Sequence, residues 1–301
     1  MPHRIDVDGW RIFRVLLDDS CNYNCEFCHR EGQHESFPRP RQMRLDEILT
    51  VADVAYDVGI REIQVSGGEP FLSPYLIPLV AHLRKYADIE IGCATNASLV
   101  TSKLVKTLQE ANVALNVNIP SANSSRYHAI TGGGDLSTVK DHLKWLIREG
   151  VHISINCVMA PDRRKDYLSA IDLATDMRLK IKIIPQLFSD VQSILEEMHW
   201  FERYMDFHAS NSLPSTSQRK RWTKSDGMFE IEVQLVDHPC IQGNCSLCRD
   251  YGEIRLLPDG VLMPCILKRD RQYPLKIGSG GISADNVRKT LESSWIDFTQ
   301  S

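Results

Sequence analysis

Six runs of β-branched and apolar residues, at 12–17, 62–66, 89–93, 113–119, 152–158 and 179–184, alternate with five stretches whose apolar residues recur at helical spacing, at 45–58, 74–86, 102–111, 136–149 and 166–177. Strands joined by helix-length crossovers pair in parallel, and each crossover is right-handed. The pattern therefore predicts an α/β fold with a parallel sheet that curls toward a barrel. In such folds chemistry collects at the carboxyl ends of the strands, so the loops after the first and second runs are expected on one rim.

The alternation stops near residue 187. Residues 191–208 then read as a helix, 211–218 as a Ser/Thr/Pro loop and 229–236 as a strand. Residues 253–257 and 261–267 read as a hairpin about the turn Pro258-Asp259-Gly260. Two domains are expected, 1–187 and 188–301.

Both parts carry cysteine clusters. Cys21, Cys25 and Cys28 have a Cys-x3-Cys-x2-Cys spacing that can wrap three corners of a four-iron cube and leave one iron without a protein ligand. A zinc knuckle is the alternative, although zinc sites usually join a Cys-x2-Cys pair to a second, distant pair. Cys240, Cys245, Cys248 and Cys265 form the second set, read as an auxiliary cluster or as a structural zinc site of the same four thiolates. Seven of the nine cysteines fall in these sets, which points to metal ligation in a reducing compartment, and so to the cytoplasm, rather than to a disulfide framework. Cys93 and Cys157, at strand ends, are expected to be buried apolar residues.

Gly67-Gly68-Glu69-Pro70 follows the second strand run. With the cysteine trio it resembles the signature of the radical S-adenosylmethionine superfamily, whose usual core is a partial (β/α)6 TIM-like barrel. The resemblance implies a four-iron cluster on Cys21, Cys25 and Cys28. It also implies S-adenosylmethionine held by Gly67, Gly68, Glu69 and Pro70, with Phe27 against the adenine and further contacts from Thr95, Asn96, Asn118 and Leu187. In that superfamily a reduced cluster splits the cofactor, and a 5′-deoxyadenosyl radical takes a hydrogen atom from the substrate. An external electron donor such as flavodoxin or ferredoxin is implied as well.

The likeness sharpens when Thr95-Asn96, Ile130-Thr-Gly-Gly-Gly-Asp-Leu136, Ile155-Asn156 and the C-terminal cysteine hairpin are added. Together these resemble the GTP cyclase family that begins molybdopterin biosynthesis, including its small auxiliary-cluster (twitch-like) domain. Arg14, Lys182 and Arg255 fall on basic positions of that family's triphosphate clamp, whereas Glu62 or Gln64, Ser154 and Glu253 stand where the family has other basic groups. Neutral or acidic groups weaken triphosphate recognition, which depends on charge-assisted donors. Cys240 offers either a fourth ligand to the auxiliary cluster or a free thiol able to donate hydrogen.

These departures lead to the expectation of a small polar biosynthetic substrate of amino-sugar, aminoglycoside or nucleoside type, undergoing epimerisation, dehydrogenation or rearrangement. GTP 3′,8-cyclisation is the alternative, and a noncatalytic Fe–S or zinc protein is the third reading. The net charge of −4 gives no footprint for nucleic acid, and the basic run 219–224 reads as solvated surface. No apolar run is long enough to span a bilayer.

Overall fold

A computed structural model of the chain describes residues 9–30, 42–216, 219–237, 240–241, 248, 251–268, 270–278 and 280–300. In chain order the elements begin β1 (Ile12–Leu16), α1 (Leu45–Asp57), β2 (Glu62–Ser66), a 3₁₀ turn (Pro70–Leu72), α2 (Leu76–Leu83), β3 (Glu90–Thr95) and α3 (Ser102–Glu110). They continue β4 (Ala114–Asn118), α4 (Ser124–Thr131), α5 (Leu136–Arg148), β5 (His152–Met159), α6 (Arg164–Asp176), β6 (Lys180–Pro185) and α7 (Val191–His208). The remainder is β7 (Asn211–Thr216), β8 (Arg219–Ser225), β9 (Glu230–Val236), β10 (Glu253–Leu256), β11 (Val261–Met263), β12 (Tyr273–Pro274), β13 (Ile277–Gly278), β14 (Gly281–Ile282) and α8 (Ala284–Thr299).

The chain divides into two compact units, one spanning Met1–Ser20, Arg30–Cys93 and Cys248–Ser301, the other Cys21–His29 and Ala94–Leu247. The expected division at residue 187 falls inside the second unit.

In the first unit the strand order is β12-β11-β10-β1-β2-β3. β1 lies parallel to both β10 and β2, and β2 to β3. Alternation sets the two faces of β2. Ile63 and Val65 are fully buried, while Glu62, Gln64 and Ser66 form the polar face. α1 starts where Arg44 N–H donates to Glu47 Oε2 at 2.9 Å, satisfying a backbone donor at the helix entry. At the far end of the chain, α8 is fastened by Trp10. Its Nε1 donates to the Leu291 carbonyl and the Ser294 hydroxyl, each at 3.1 Å, and its ring meets Trp295 edge-on at 4.9 Å.

In the second unit the order is β4-β5-β6-β9-β8-β7, with β4, β5, β6 and β9 parallel and β8 and β7 antiparallel. Asn123, Asp135 and Asp190 accept backbone N–H groups at the starts of α4, α5 and α7.

Two expectations about the second half change. Most of the supposed loop 211–218 is strand β7, and the basic run is strand β8, whose Trp222 is buried with its Nε1 donating to Asp206. Both strands are polar, and their pairing to β9 rather than apolar alternation defines them. The hairpin strand also ends earlier than expected. β11 stops at Met263, which leaves Cys265 in the following loop, where Lys268 N–H meets its Sγ at 3.3 Å.

Candidate cluster and cofactor loops

In the first unit, the Gly-Gly loop extends the pairing of β1 and β2 beyond the strands. Leu17 N–H donates to Ser66 O at 3.1 Å, Gly68 N–H to Asp18 O at 2.8 Å, and Glu69 N–H to Ser20 O at 2.8 Å. The contact is backbone against backbone. A Cβ on Gly67, whose φ is +138°, would sit 2.5 Å from Asp18 O, and one on Gly68 would sit 2.0 Å from Ser20 O. No side chain fits at either place. Glu69 is buried and its carboxylate accepts the Phe71 N–H at 3.0 Å, so the loop enters the turn at Pro70 in a fixed pose. The Cys93 thiol, fully buried, is pushed well above its ordinary pKa by burial and then by the Glu69 charge.

Cys21 follows Ser20 directly in the chain and opens the second unit. Within that unit the cysteine loop is held along its length. Asn24 and Glu26 donate backbone N–H groups to Thr131 O and Ile130 O, each at 3.0 Å. Gly132, at φ +69°, ends α4, and a Cβ there would lie 2.7 Å from Asn24 O. Here the Ile130-Thr-Gly-Gly-Gly stretch has its physical role, as a backbone cradle for residues 24–26. Near the loop's start, Asn96 Nδ2 donates to Asn22 Oδ1 at 2.9 Å, Asn22 Nδ2 to Ser98 Oγ at 2.8 Å, and Ser98 Oγ to Asn96 Oδ1 at 2.7 Å, a closed ring of three side chains. Asn22 carries no spacing signal, and reasoning from sequence missed it.

The donor set suits a polynuclear cluster. Cys28 N–H closes a turn onto Cys25 O at 3.0 Å, and Cys21 and Cys28 are exposed while Cys25 is half-buried. Burial, then the nearby Cys28 and Cys21 sulfurs, pushes the Cys25 thiol up to about 12. Three thiolates crowded in this way repel one another, and iron bound among them removes that penalty. Among the described residues no three His, Cys, Asp or Glu side chains surround a single-ion position.

Other expected residues fall as follows. Phe27 is half-buried in the turn of the cysteine loop, Asn118 ends β4, and Leu187 lies in the turn after β6. His128 Nδ1 is 3.3 Å from the Gly134 carbonyl, and the fully buried Cys157 lies 3.6 Å from the Pro120 carbonyl. In the second unit Asn116 Oδ1 accepts from Ser154 Oγ at 2.9 Å and from Lys182 Nζ at 2.5 Å. Cys240 and Cys248 are half-buried and Cys265 likewise, while Cys245 lies outside the described residues.

Glu253 has a different setting from the one its sequence position suggested. It is 5% exposed, and Arg14 grips it through Nε at 2.8 Å and Nη2 at 3.3 Å while Arg255 Nη2 approaches at 2.6 Å. Register brings these together, because Arg14 pairs with Arg255 across β1 and β10. The carboxylate is thus neutralised by two guanidinium groups and is neither an isolated repeller of phosphate nor a seat for an amine. Glu62 accepts a hydrogen bond from the neutral Gln64 Nε2 at 2.8 Å.

The profile of the Radical SAM superfamily matches residues 17–174, a little over half of the chain, and the chain belongs to that superfamily. Among curated proteins it is similar to a probable GTP 3′,8-cyclase of Methanococcus maripaludis, 28% identical over 86% of this chain and 86% of the relative. It is also similar to the GTP 3′,8-cyclases of Clostridium perfringens, 24% identical over 93% and 88%, and of Petrotoga mobilis, 25% identical over 97% and 92%. Among solved structures, Streptococcus suis SuiB bound to S-adenosylmethionine aligns with a TM-score of 0.65 at 13% identity, over 86% of this chain and 59% of SuiB, so the chain spans about three fifths of that protein. Native anSMEcpe with bound AdoMet aligns at 0.62 and 14% identity over 95% and 82%. These structures share the fold, in the α/β partial-barrel class that the sequence implied.

The relatives overturn the expectation of an amino-sugar, aminoglycoside or nucleoside-type substrate, since those spanning most of the chain are named for GTP. The physical ground for that expectation also fails, because the Glu253 charge on which it leaned is already compensated.

Proposed function

We propose that this protein is a GTP 3′,8-cyclase. The observation that carries the reading is similarity to proteins of that name along nearly the whole length of both chains. When bound, a reduced four-iron cluster and S-adenosylmethionine supply a 5′-deoxyadenosyl radical that takes a hydrogen atom from the substrate, and the protein's task is binding, aim and exclusion of side reactions. Cys21, Cys25 and Cys28 hold the cluster. The Gly67-Gly68 backbone, with Glu69, takes the methionine end of the cofactor, and Phe27, Thr95, Asn96, Asn118 and Leu187 complete its contacts. Cys240, Cys245, Cys248 and Cys265 hold a second cluster in a C-terminal domain, 188–301, and a flavodoxin- or ferredoxin-type donor supplies electrons. Arg14 and Arg255, joined through the Glu253 carboxylate, present their remaining guanidinium N–H groups to substrate.

The test is anaerobic reconstitution with iron and sulfide, reduction, and incubation with S-adenosylmethionine and GTP. The expected result is GTP-dependent 5′-deoxyadenosine together with a cyclised guanine-derived product. Cofactor cleavage that does not respond to GTP, with no such product, would overturn the reading.

A further inference from the structure

The sheet of the second unit gathers Lys182 and two arginines of the basic run 219–224 onto one cationic surface. β6, β9 and β8 are consecutive neighbours, and their registers align Lys182 with Gln234 and Gln234 with Arg221, so these three share one row and one face. Arg219 stands one row further along, opposite Val236, and donates to Gln234 Oε1 at 3.0 Å. The opposite face of β8 is spoken for. Trp222 is buried against Phe201 of α7, and Lys220 pairs with Glu202 of the same helix at 2.5 Å. Arg219 and Arg221 therefore emerge on the side away from α7.

Charge on this face does not balance. Glu232 accepts from Arg221 and from Gln234 and meets Lys180 Nζ at 3.0 Å. Burial alone would raise its carboxyl, yet these partners hold it at about 2. Among the described residues Glu232 serves both Lys180 and Arg221, while Arg219 is held by the neutral Gln234 amide. Glu230, two residues along β9, is exposed and lies 3.5 Å from Asn211 and Thr223 at the strand's other end. A surplus of positive charge on a half-buried sheet is self-repelling unless an anion joins it. A second, independent observation concerns a neighbouring strand. Asn156, in register beside Lys182, has a buried Oδ1 without a hydrogen-bond partner. An amide oxygen accepts and cannot bind phosphate, so it calls for an N–H or hydroxyl next to the anion.

We propose that Lys182, Arg219 and Arg221 bind the phosphate chain of a nucleoside polyphosphate, with a sugar hydroxyl or base N–H donating to Asn156 Oδ1. The proposal rests on the GTP reading above and adds Arg219 and Arg221 to the basic position already read at Lys182. Guanidinium groups on β8 suit the task, since their planar donors match phosphate oxygens in pairs.

Binding of GTP, guanosine and inorganic triphosphate is measured by equilibrium dialysis on the full-length, anaerobically reconstituted protein and its Arg219→Gln and Arg221→Gln variants. The expected result is a loss of about tenfold or more in affinity for GTP and triphosphate per arginine, with guanosine unaffected. Glu232→Gln is expected to tighten triphosphate binding several-fold, a gain that misfolding cannot produce. Unchanged GTP and triphosphate affinity in both arginine variants, or wild-type protein that binds neither, would overturn the proposal. Arginine-dependent triphosphate binding without any GTP-dependent 5′-deoxyadenosine would uphold the anion surface and sink the GTP reading instead.

Discussion

Gly68 donates its backbone N–H to the carbonyl oxygen of Asp18 at 2.8 Å, so the loop after β2 is stitched to the segment that runs into Cys21. The approach leaves no room for a side chain, since a Cβ would lie 2.0 Å from Ser20 O and both parties are backbone. Gly68→Ala is expected to force the two segments apart, costing about 1–3 kcal/mol or more and abolishing cofactor cleavage. Gly280→Ala, where nothing lies within 4 Å, is the control. Thermal melting and 5′-deoxyadenosine formation read the two effects, and an active Gly68→Ala protein would refute the close approach.

Glu253→Ala leaves Arg14 and Arg255 facing each other in a largely dry setting, their side chains 20% and 13% exposed. Removing one partner of a buried pair commonly costs about 3–5 kcal/mol, because the stranded charge is no longer solvated or paired. Urea unfolding should show a loss of that order, and removing the repulsion between the two guanidinium groups with Arg14→Met in the same chain should recover part of it. Equal stability of Glu253→Ala and wild type would contradict the pairing.

The ring of Asn22, Asn96 and Ser98 closes on itself, so its members should be coupled energetically. A double-mutant cycle of Asn22→Ala and Asn96→Ala is expected to give an interaction energy of about 0.5–1.5 kcal/mol, with both single variants losing bound iron faster on dilution. Additive effects would mean that the ring does not steady the cysteine loop.

What the sequence made legible followed local rules. β2 and α7 have the limits that period-2 and helical spacing imply, and the cysteine trio and Gly-Gly loop announce themselves through spacing. β7 and β8 were hidden because Asn211–Thr216 and Arg219–Ser225 carry almost no apolar alternation, and a strand of that kind is specified by its neighbour. α8 depends on Trp10, which lies 281 residues from Leu291, a contact that no window of sequence contains. Glu253 was misjudged for the same reason. Its partner Arg14 is 239 residues away, and a charge read without its partner has the wrong sign of consequence.

Changing Cys21, Cys25 and Cys28 together to Ala separates the two proposed clusters. Iron should fall from about eight to about four per chain while 5′-deoxyadenosine formation disappears. Loss of all iron would remove the case for a second cluster on the C-terminal cysteines, and cleavage that persists would overturn the role of the first three.

Acid stability offers a separate check on the cationic face. The Glu232 carboxyl is held at about 2, below its ordinary value, because hydrogen bonds from Arg221, Gln234 and Lys180 outweigh the burial that would raise it. A carboxyl whose pKa is lower in the folded chain contributes stability that is complete above its unfolded value and is lost as pH falls toward the folded one. Wild type should therefore exceed Glu232→Gln in stability at pH 6, by on the order of 2 kcal/mol once contact with water is allowed for. The difference should shrink between roughly pH 4.5 and pH 2, where protonation leaves the wild-type chain with the same uncompensated cations as the variant. Unfolding by urea at several pH values measures it, and a difference that stays constant down to pH 2 would show that Glu232 is not the counter-charge to Arg221 and Lys180.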